Sequence, residues 1–217
     1  LTSKEMDIIF ITTPNFSHFE ICKFFLQKFN TTVFVEKPLT ISLNECKKLS
    51  ILSKNKNVKV QVGYMFRYCK TYLETKKIIE SKQLGNIKSF KCTMFSSQVF
   101  KETDNWRFKK NKAGGGVLIT QNSHLIDLMI WFFGMPKSIN AETKNIYSKE
   151  VEDEVNAEFT YDSFRGMLET SWSKEGYRNL VTNIEIQFDK GSIKVDEDEL
   201  EIKDNLIVKK INKISSF

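Results

Sequence analysis

The sequence predicts a mixed α/β chain in two parts: parallel β-α-β units covered by helices, then an α+β region built on one large, mainly antiparallel sheet. Three observations carry this. Between residues 7 and 62, short β-branched or aromatic runs alternate with amphipathic stretches of helical period, as in a parallel sheet with crossover helices. After Gly63 the alternation stops, and from Ser138 onward nearly every segment reads as a strand. Nine glycines and three prolines in 217 residues exclude collagen-like, linker-rich and low-complexity chains, while a hydrophobic content of 41% supplies an ample core.

Taken in order, residues 7–12 form a first strand and 15–29 a helix with Asn15 as its N-cap. A second strand covers 33–35, a second helix 42–54 with Ser42 and Glu45 as a capping box, and a third strand 58–62. A polar helix over 68–82 stops before Gly85, a long strand spans 87–97, and an irregular stretch leads to Gly114-Gly115-Gly116. One continuous apolar helix is predicted over 117–133, closed by Gly134 and Pro136. Strands follow at 139–146, 155–161, 166–172, 183–188, 192–195 and 206–211, with Asp189-Lys190-Gly191 as a hairpin turn. The acidic run 196–201 reads as a solvated turn and edge strand rather than a metal site.

Lys plus Arg number 33 against 27 for Asp plus Glu, a net charge of +6, yet only Arg67, Arg107, Arg165 and Arg178 are arginines. Lysine lacks the planar fork suited to phosphates and base edges. With carboxylates interspersed, the charge reads as a solvated surface, and no nucleic-acid partner is expected. Cys22, Cys46, Cys69 and Cys92 are far apart and there are only two histidines, so no metal site is expected and the thiols read as reduced, in a cytoplasmic protein. No apolar run reaches the ~18 residues that span a bilayer, so no membrane partner is expected either.

Three places could carry chemistry. Thr12-Thr13-Pro14-Asn15, with Ser17 and His18 just beyond, ends the first strand, where parallel sheets bind ligands; an ordinary strand-to-helix connection is the alternative. Glu36-Lys37-Pro38 ends the second strand, with an X-Pro bond that can be cis. A lysine there can donate to a substrate hydroxyl and shift a neighbour's titration, or the two charges can be a surface pair. Third, Thr120, His124 and Asp127 stand at helical spacing in an otherwise apolar segment behind the glycine run. Polar groups so placed need partners, which structural hydrogen bonds or a substrate can supply.

Together these residues resemble the Gfo/Idh/MocA family of NAD(P)-dependent sugar and cyclitol oxidoreductases. The likeness runs through Thr13-Pro14-Asn15 with His18, Glu36-Lys37-Pro38, Gly63-Tyr64 followed by Arg67-Tyr68, Leu84-Gly85, Trp106-Arg107, and Ala113-Gly114-Gly115-Gly116 leading to His124 and Asp127. The resemblance implies that residues 1–64 are the C-terminal part of a Rossmann-type NAD(P)-binding domain. Residues 65–217 would then be an α/β substrate-binding domain whose open sheet builds homodimers or homotetramers. It implies Lys37 and His124 as catalytic residues, and Thr12, Thr13, Pro14, Asn15, His18, Glu36 and Lys37 as a cofactor site for NAD or NADP. Substrate contacts are implied for Lys37, Arg67, Trp106, Arg107, Thr120 and His124, the substrate being a sugar, nucleotide sugar or cyclitol. A histidine titrating near neutrality can take the hydroxyl proton as a hydride leaves the same carbon, while a lysine polarises the oxygen.

The chain departs from the family pattern in places. Thr120 stands where many members carry Asp, Asn122 where glycine is common, and Met65 where asparagine often follows the Gly-aromatic pair. The Gly-x-Gly-x-x-Gly loop expected upstream is not in this sequence, which opens at Leu1. The chain is therefore expected to be the middle and later portion of an oxidoreductase, lacking on its own half of the cofactor site and inactive alone. A non-catalytic relative that binds a sugar or a scaffold partner is the second reading, and a Lys-rich nucleic-acid module the third.

Overall fold

The computed structural model of the chain describes residues 6–204 and 207–212. Strands β1 (Ile8–Ile11), β2 (Thr32–Val35) and β3 (Val60–Val62) form a parallel sheet in that order. Ile9 stands opposite Val33, and Val33 opposite Val60. Helices α1 (Asn15–Lys28) and α2 (Leu43–Lys56) connect them. Alternate strand residues Ile9, Ile11, Val33 and Val35 meet Cys22 and Leu26 of α1 and Leu49 of α2 in one buried cluster. Period-two strands facing helices of period 3.6 give this layer directly.

The Ser42 cap forms, its hydroxyl accepting from the Glu45 amide at 3.3 Å. The Asn15 cap does not: Asn15 is the first helical residue and Pro14 holds the cap position, as suits a residue whose ring already fixes φ. Ser17 instead bonds back to Thr13 Oγ1 and to the Pro14 carbonyl, each at 2.7 Å.

Beyond Gly63 a 3₁₀ turn (Met65–Tyr68) precedes α3 (Lys70–Ser81) and β4 (Ile87–Phe95). The irregular stretch holds a second 3₁₀ turn (Trp106–Phe108) and α4 (Lys110–Ala113). The continuous helix expected over 117–133 is broken into α5 (Val117–Thr120) and α6 (Ser123–Phe133). The cause is local. The amides of Gln121 and Asn122 both go to the Val117 carbonyl, at 3.0 Å, and the buried Asn122 side chain bonds to that carbonyl and to Thr170 Oγ1. An amide side chain competing for backbone groups interrupts the helical ladder.

The remaining strands are β5 (Ser138–Lys144), β6 (Glu154–Thr160), β7 (Arg165–Ser171), β8 (Val181–Phe188), β9 (Gly191–Val195), β10 (Glu199–Asp204) and β11 (Ile207–Asn212). They join β4 in an eight-stranded open sheet, β11-β10-β9-β8-β4-β7-β6-β5. Within this sheet, among the described residues, only β4 and β7 pair in parallel. The Asp189-Lys190 turn joins β8 to β9 as expected. The acidic run does not end in an edge strand, because β11 lies outside β10; Leu206, expected to start the last strand, lies outside the described residues. One face of the sheet carries the core: Phe90, Cys92, Met94, Leu168, Ile184 and Ile186 pack under Tyr72 and Ile78 of α3 and Leu125, Leu128 and Phe132 of α6. The opposite face carries charge pairs such as Lys91–Glu169 at 2.7 Å and Lys144–Glu154 at 2.8 Å. Among the described residues no helix is long and apolar enough to cross a membrane, and no cluster could hold a metal ion.

Candidate active site

The strand ends of the small sheet and the broken helix of the second part meet around two adjoining cavities. The first, about 340 Å³, lies at the carboxyl ends of β1 and β2. Thr12, Thr13, Pro14, Asn15, His18, Glu36, Lys37, Trp106, Arg107 and Thr120 line it, so every residue expected at the cofactor is gathered there. The second, of similar size, shares Lys37, Arg107 and Thr120 with the first and adds His124. Its other walls are Met65, Phe66, Gln98, Gln121, Trp172 and Leu180.

His18 is fully buried and clamps the loops of the first cavity together. Its Nδ1 lies 2.8 Å from the Pro38 carbonyl and its Nε2 2.7 Å from the Thr13 carbonyl. Both partners can only accept, whereas a neutral imidazole has one N–H to donate. The side chain thus ties the end of the first strand to the Glu36-Lys37-Pro38 turn, in which the Lys37-Pro38 bond is cis.

Lys37 reaches across to the other part of the chain. Its Nζ donates to the Thr120 carbonyl at 2.6 Å. That carbonyl would accept an amide one turn onward in a continuous helix; the break after α5 leaves it to the lysine. Burial lowers the pKa of Lys37, Glu36 raises it, and the Arg107 charge lowers it further. The Thr120 hydroxyl is turned away, donating to Gly116 O at 2.6 Å.

His124, in the first turn of α6, packs its ring on Phe66 at 4.6 Å and meets the edge of Tyr64 at 6.1 Å. Its Nδ1 is buried with no hydrogen-bond partner among the described residues. Burial first, and then the positive charge of Lys37, push its pKa down to about 4. The ring is therefore neutral at physiological pH and able to accept a proton.

Two expected site residues go elsewhere. Arg67, expected at the substrate, lies outside both cavities; its Nε and Nη2 donate to Asp127 Oδ2 and Oδ1 at 2.6 and 2.7 Å. The carboxylate takes the Nε–Nη2 edge of the guanidinium in a two-pronged pair, which fixes the arginine's geometry. Asp127 in turn lines an apolar groove between α6 and β5; His124 and Asp127 share α6, but Thr120, at the end of α5, does not stand on one continuous helix with them.

Sequence reading missed Gln98, Gln121, Trp172 and Leu180, which reach the second cavity from strand ends and loops. A strand-end tryptophan was the one signal available. The glycine run was legible, and its reason is steric: a Cβ on Gly116 would stand 1.9 Å from the Glu152 carbonyl oxygen.

The chain has the marks of known proteins. Residues 1–64 match the family model for the oxidoreductase family with NAD-binding Rossmann fold, and residues 72–194 match the GFO/IDH/MocA C-terminal domain. An uncharacterized oxidoreductase of Schizosaccharomyces pombe is 31% identical over 156 residues, which cover 70% of this chain and 42% of that protein. Levoglucosan dehydrogenase of Pseudarthrobacter phenanthrenivorans is 30% identical over 139 residues, 63% of this chain and 35% of that protein. A solved levoglucosan dehydrogenase in complex with NADH and levoglucosan superposes with a TM-score of 0.90 at 26% identity, covering 97% of this chain and 62% of that one. The chain spans less than half the length of these two sequence relatives. A family domain matched over more than half of the chain, preceded by a match to the NAD-binding fold, shows that the chain belongs to the Gfo/Idh/MocA family of oxidoreductases.

Proposed function

We propose that this chain supplies the lysine and histidine of an oxidoreductase site that interconverts a CH–OH group and a carbonyl on a sugar, nucleotide sugar or cyclitol, with NAD or NADP. The observation that carries the reading is the pair of joined cavities. One holds the strand-end residues of a nucleotide fold and the other His124, with Lys37 at the boundary. The residues of the first cavity fit the nicotinamide end of such a cofactor: hydroxyls, an amide and a carboxylate stand at the carboxyl ends of parallel strands. The cofactor, when bound, supplies hydride chemistry that no side chain provides.

The protein's own part is proton handling and placement. Neutral His124 takes the hydroxyl proton as the carbonyl forms and returns it in the reverse direction. Lys37, anchored by one N–H on the Thr120 carbonyl, keeps donors for the substrate oxygen and polarises it. Its charge also keeps His124 in the base form. Arg107 and Thr120 complete the wall between the two compartments, and Trp106 lines the first. Names of relatives support the substrate class: levoglucosan dehydrogenase has been solved with levoglucosan and with L-sorbose, and a scyllo-inositol 2-dehydrogenase of Bacillus subtilis is 29% identical over 136 residues.

In this proposal residues 1–64 belong to the cofactor domain and 65–217 to the substrate domain, whose open sheet pairs copies of the chain. One observation favours the second reading, a sugar-binding relative without turnover: the Thr120 hydroxyl is spent on Gly116, and His124 Nδ1 has no hydrogen-bond partner among the described residues. Turnover of a polyol by the full-length gene product, followed by nicotinamide absorbance, separates the two. Sugar binding without turnover would favour the second.

A further inference from the structure

We infer that Glu152 is a positioning residue: its contacts with the start of α5 set where the Thr120 carbonyl stands and, through it, where the Lys37 ammonium stands. The inference rests on the proposed role of Lys37. Glu152 lies in the acidic stretch Glu150-Val151-Glu152-Asp153-Glu154, and its carboxylate is divided between two backbone amides. Oε2 accepts from Gly116 N at 2.9 Å and Oε1 from Leu118 N at 3.0 Å. The intervening amide, Val117 N, donates to the Glu152 carbonyl at 2.9 Å. Amides at the start of a helix have no carbonyl behind them, and here one residue takes all of them from Gly116 to Leu118.

The next link is just as short. Thr120 is tied to Gly116 twice, through its amide at 3.0 Å and its hydroxyl at 2.6 Å. Thr120 then offers its own carbonyl to Lys37. The path from Glu152 to the lysine is therefore a single helical turn clamped at both ends, with no rotatable side chain between the clamp and the carbonyl.

The clamp is itself immobilised. Asp153, fully buried, accepts from the amides of Ile146, Tyr147 and Ser148 at 2.7, 2.7 and 2.9 Å, from Ser148 Oγ at 2.5 Å and from Trp172 Nε1 at 2.5 Å. Trp172 is a wall of the His124 cavity. Two adjacent carboxylates thus refer both the lysine and the cavity wall to the same fixed loop before β6. A displacement of about 1 Å at a reacting group can cost about 100-fold in rate, which makes such a reference valuable.

The test compares Glu152→Ala and Glu152→Gln with the unaltered protein, alone and combined with Lys37→Met, in the full-length gene product. Glu152→Ala is expected to lower kcat about 100-fold with KM for the nicotinamide cofactor unchanged. Glu152→Gln, which keeps one acceptor, should fall between. If Glu152 acts through Lys37, its loss adds nothing once Lys37 is already Met. The Lys37 titration, followed by NMR on lysine-labelled protein, should move in both Glu152 variants whether or not turnover is measurable. Should Glu152→Ala not fold, Glu152→Gln decides on the same readouts. Full additivity with Lys37→Met, or a Lys37 titration unmoved in a folded variant, would overturn the inference. If Lys37→Met by itself leaves turnover intact, the proposed role of Lys37 fails, and the titration still reports whether Glu152 positions it.

Discussion

The Lys37 ammonium and the Thr120 carbonyl, 83 residues apart in sequence, meet at 2.6 Å. The contact joins the end of β2 to the interrupted helix. A backbone carbonyl carries no net charge, so Lys37 is anchored without being neutralised. Replacing it should therefore be costly to chemistry and cheap to stability. Lys37→Met is expected to lower kcat about 100-fold or more. Lys37→Arg should not restore it, since a planar fork cannot reproduce a point donor on a single carbonyl. Steady-state kinetics beside a thermal melt checks both halves of the statement.

The depressed titration of His124 has a direction that can be measured. Burial and the Lys37 charge hold it at about 4, against about 6.5 for an ordinary histidine. The folded state binds this proton later than the unfolded chain as pH falls. Its share of stability is thus fully present above about pH 6.5 and is lost as pH drops through about 4. Imidazole NMR should show the midpoint near 4, and Lys37→Met should raise it by removing the cationic neighbour.

His18 gives a prediction about folding rather than chemistry. It faces two loop carbonyls, those of Pro38 and Thr13, and deleting the ring removes the bond its N–H makes to one of them and its contact with the other. His18→Ala should destabilise the protein by about 1–3 kcal/mol, the cost of leaving a buried polar group without its partner. Urea denaturation measures this directly. A loss below the error of the method would mean the clamp is not needed.

Arg67 and Asp127 should behave as a structural pair. Their two-pronged contact sits beside Trp131, 5.7 Å from the guanidinium, and outside both cavities. Arg67→Ala and Asp127→Asn are each expected to lower stability by about 1–3 kcal/mol while KM for substrate stays put. A KM rise in a stable Arg67→Ala variant would return the arginine to the substrate site.

Much of this was legible in the amino-acid sequence, for definable reasons. The runs around Ile9, Val33 and Val60 have period two and lie between helices of clear amphipathic pattern, so the parallel layer followed. Residues at strand ends, from Thr12 to Asn15 and Glu36 with Lys37, are placed by topology alone, and they converge on one cavity. What was not legible depends on single side chains acting at a distance. The break between α5 and α6 comes from Asn122 reaching Thr170 and Val117, which no local periodicity reveals. The pairing of Arg67 with Asp127, sixty residues on, is likewise invisible to local pattern. The contacts of Glu152 were not legible because its partners, Gly116 and Leu118, lie more than thirty residues away.

The central claim is that His124 takes a proton from a carbinol while Lys37 polarises its oxygen. The most direct measurement is nicotinamide absorbance of the full-length gene product with a panel of sugars and cyclitols, comparing the unaltered protein with His124→Ala. Turnover of at least one polyol, reduced about 100-fold or more in the variant with cofactor affinity unchanged, is the expected result. Undiminished turnover in a folded His124→Ala protein would contradict it.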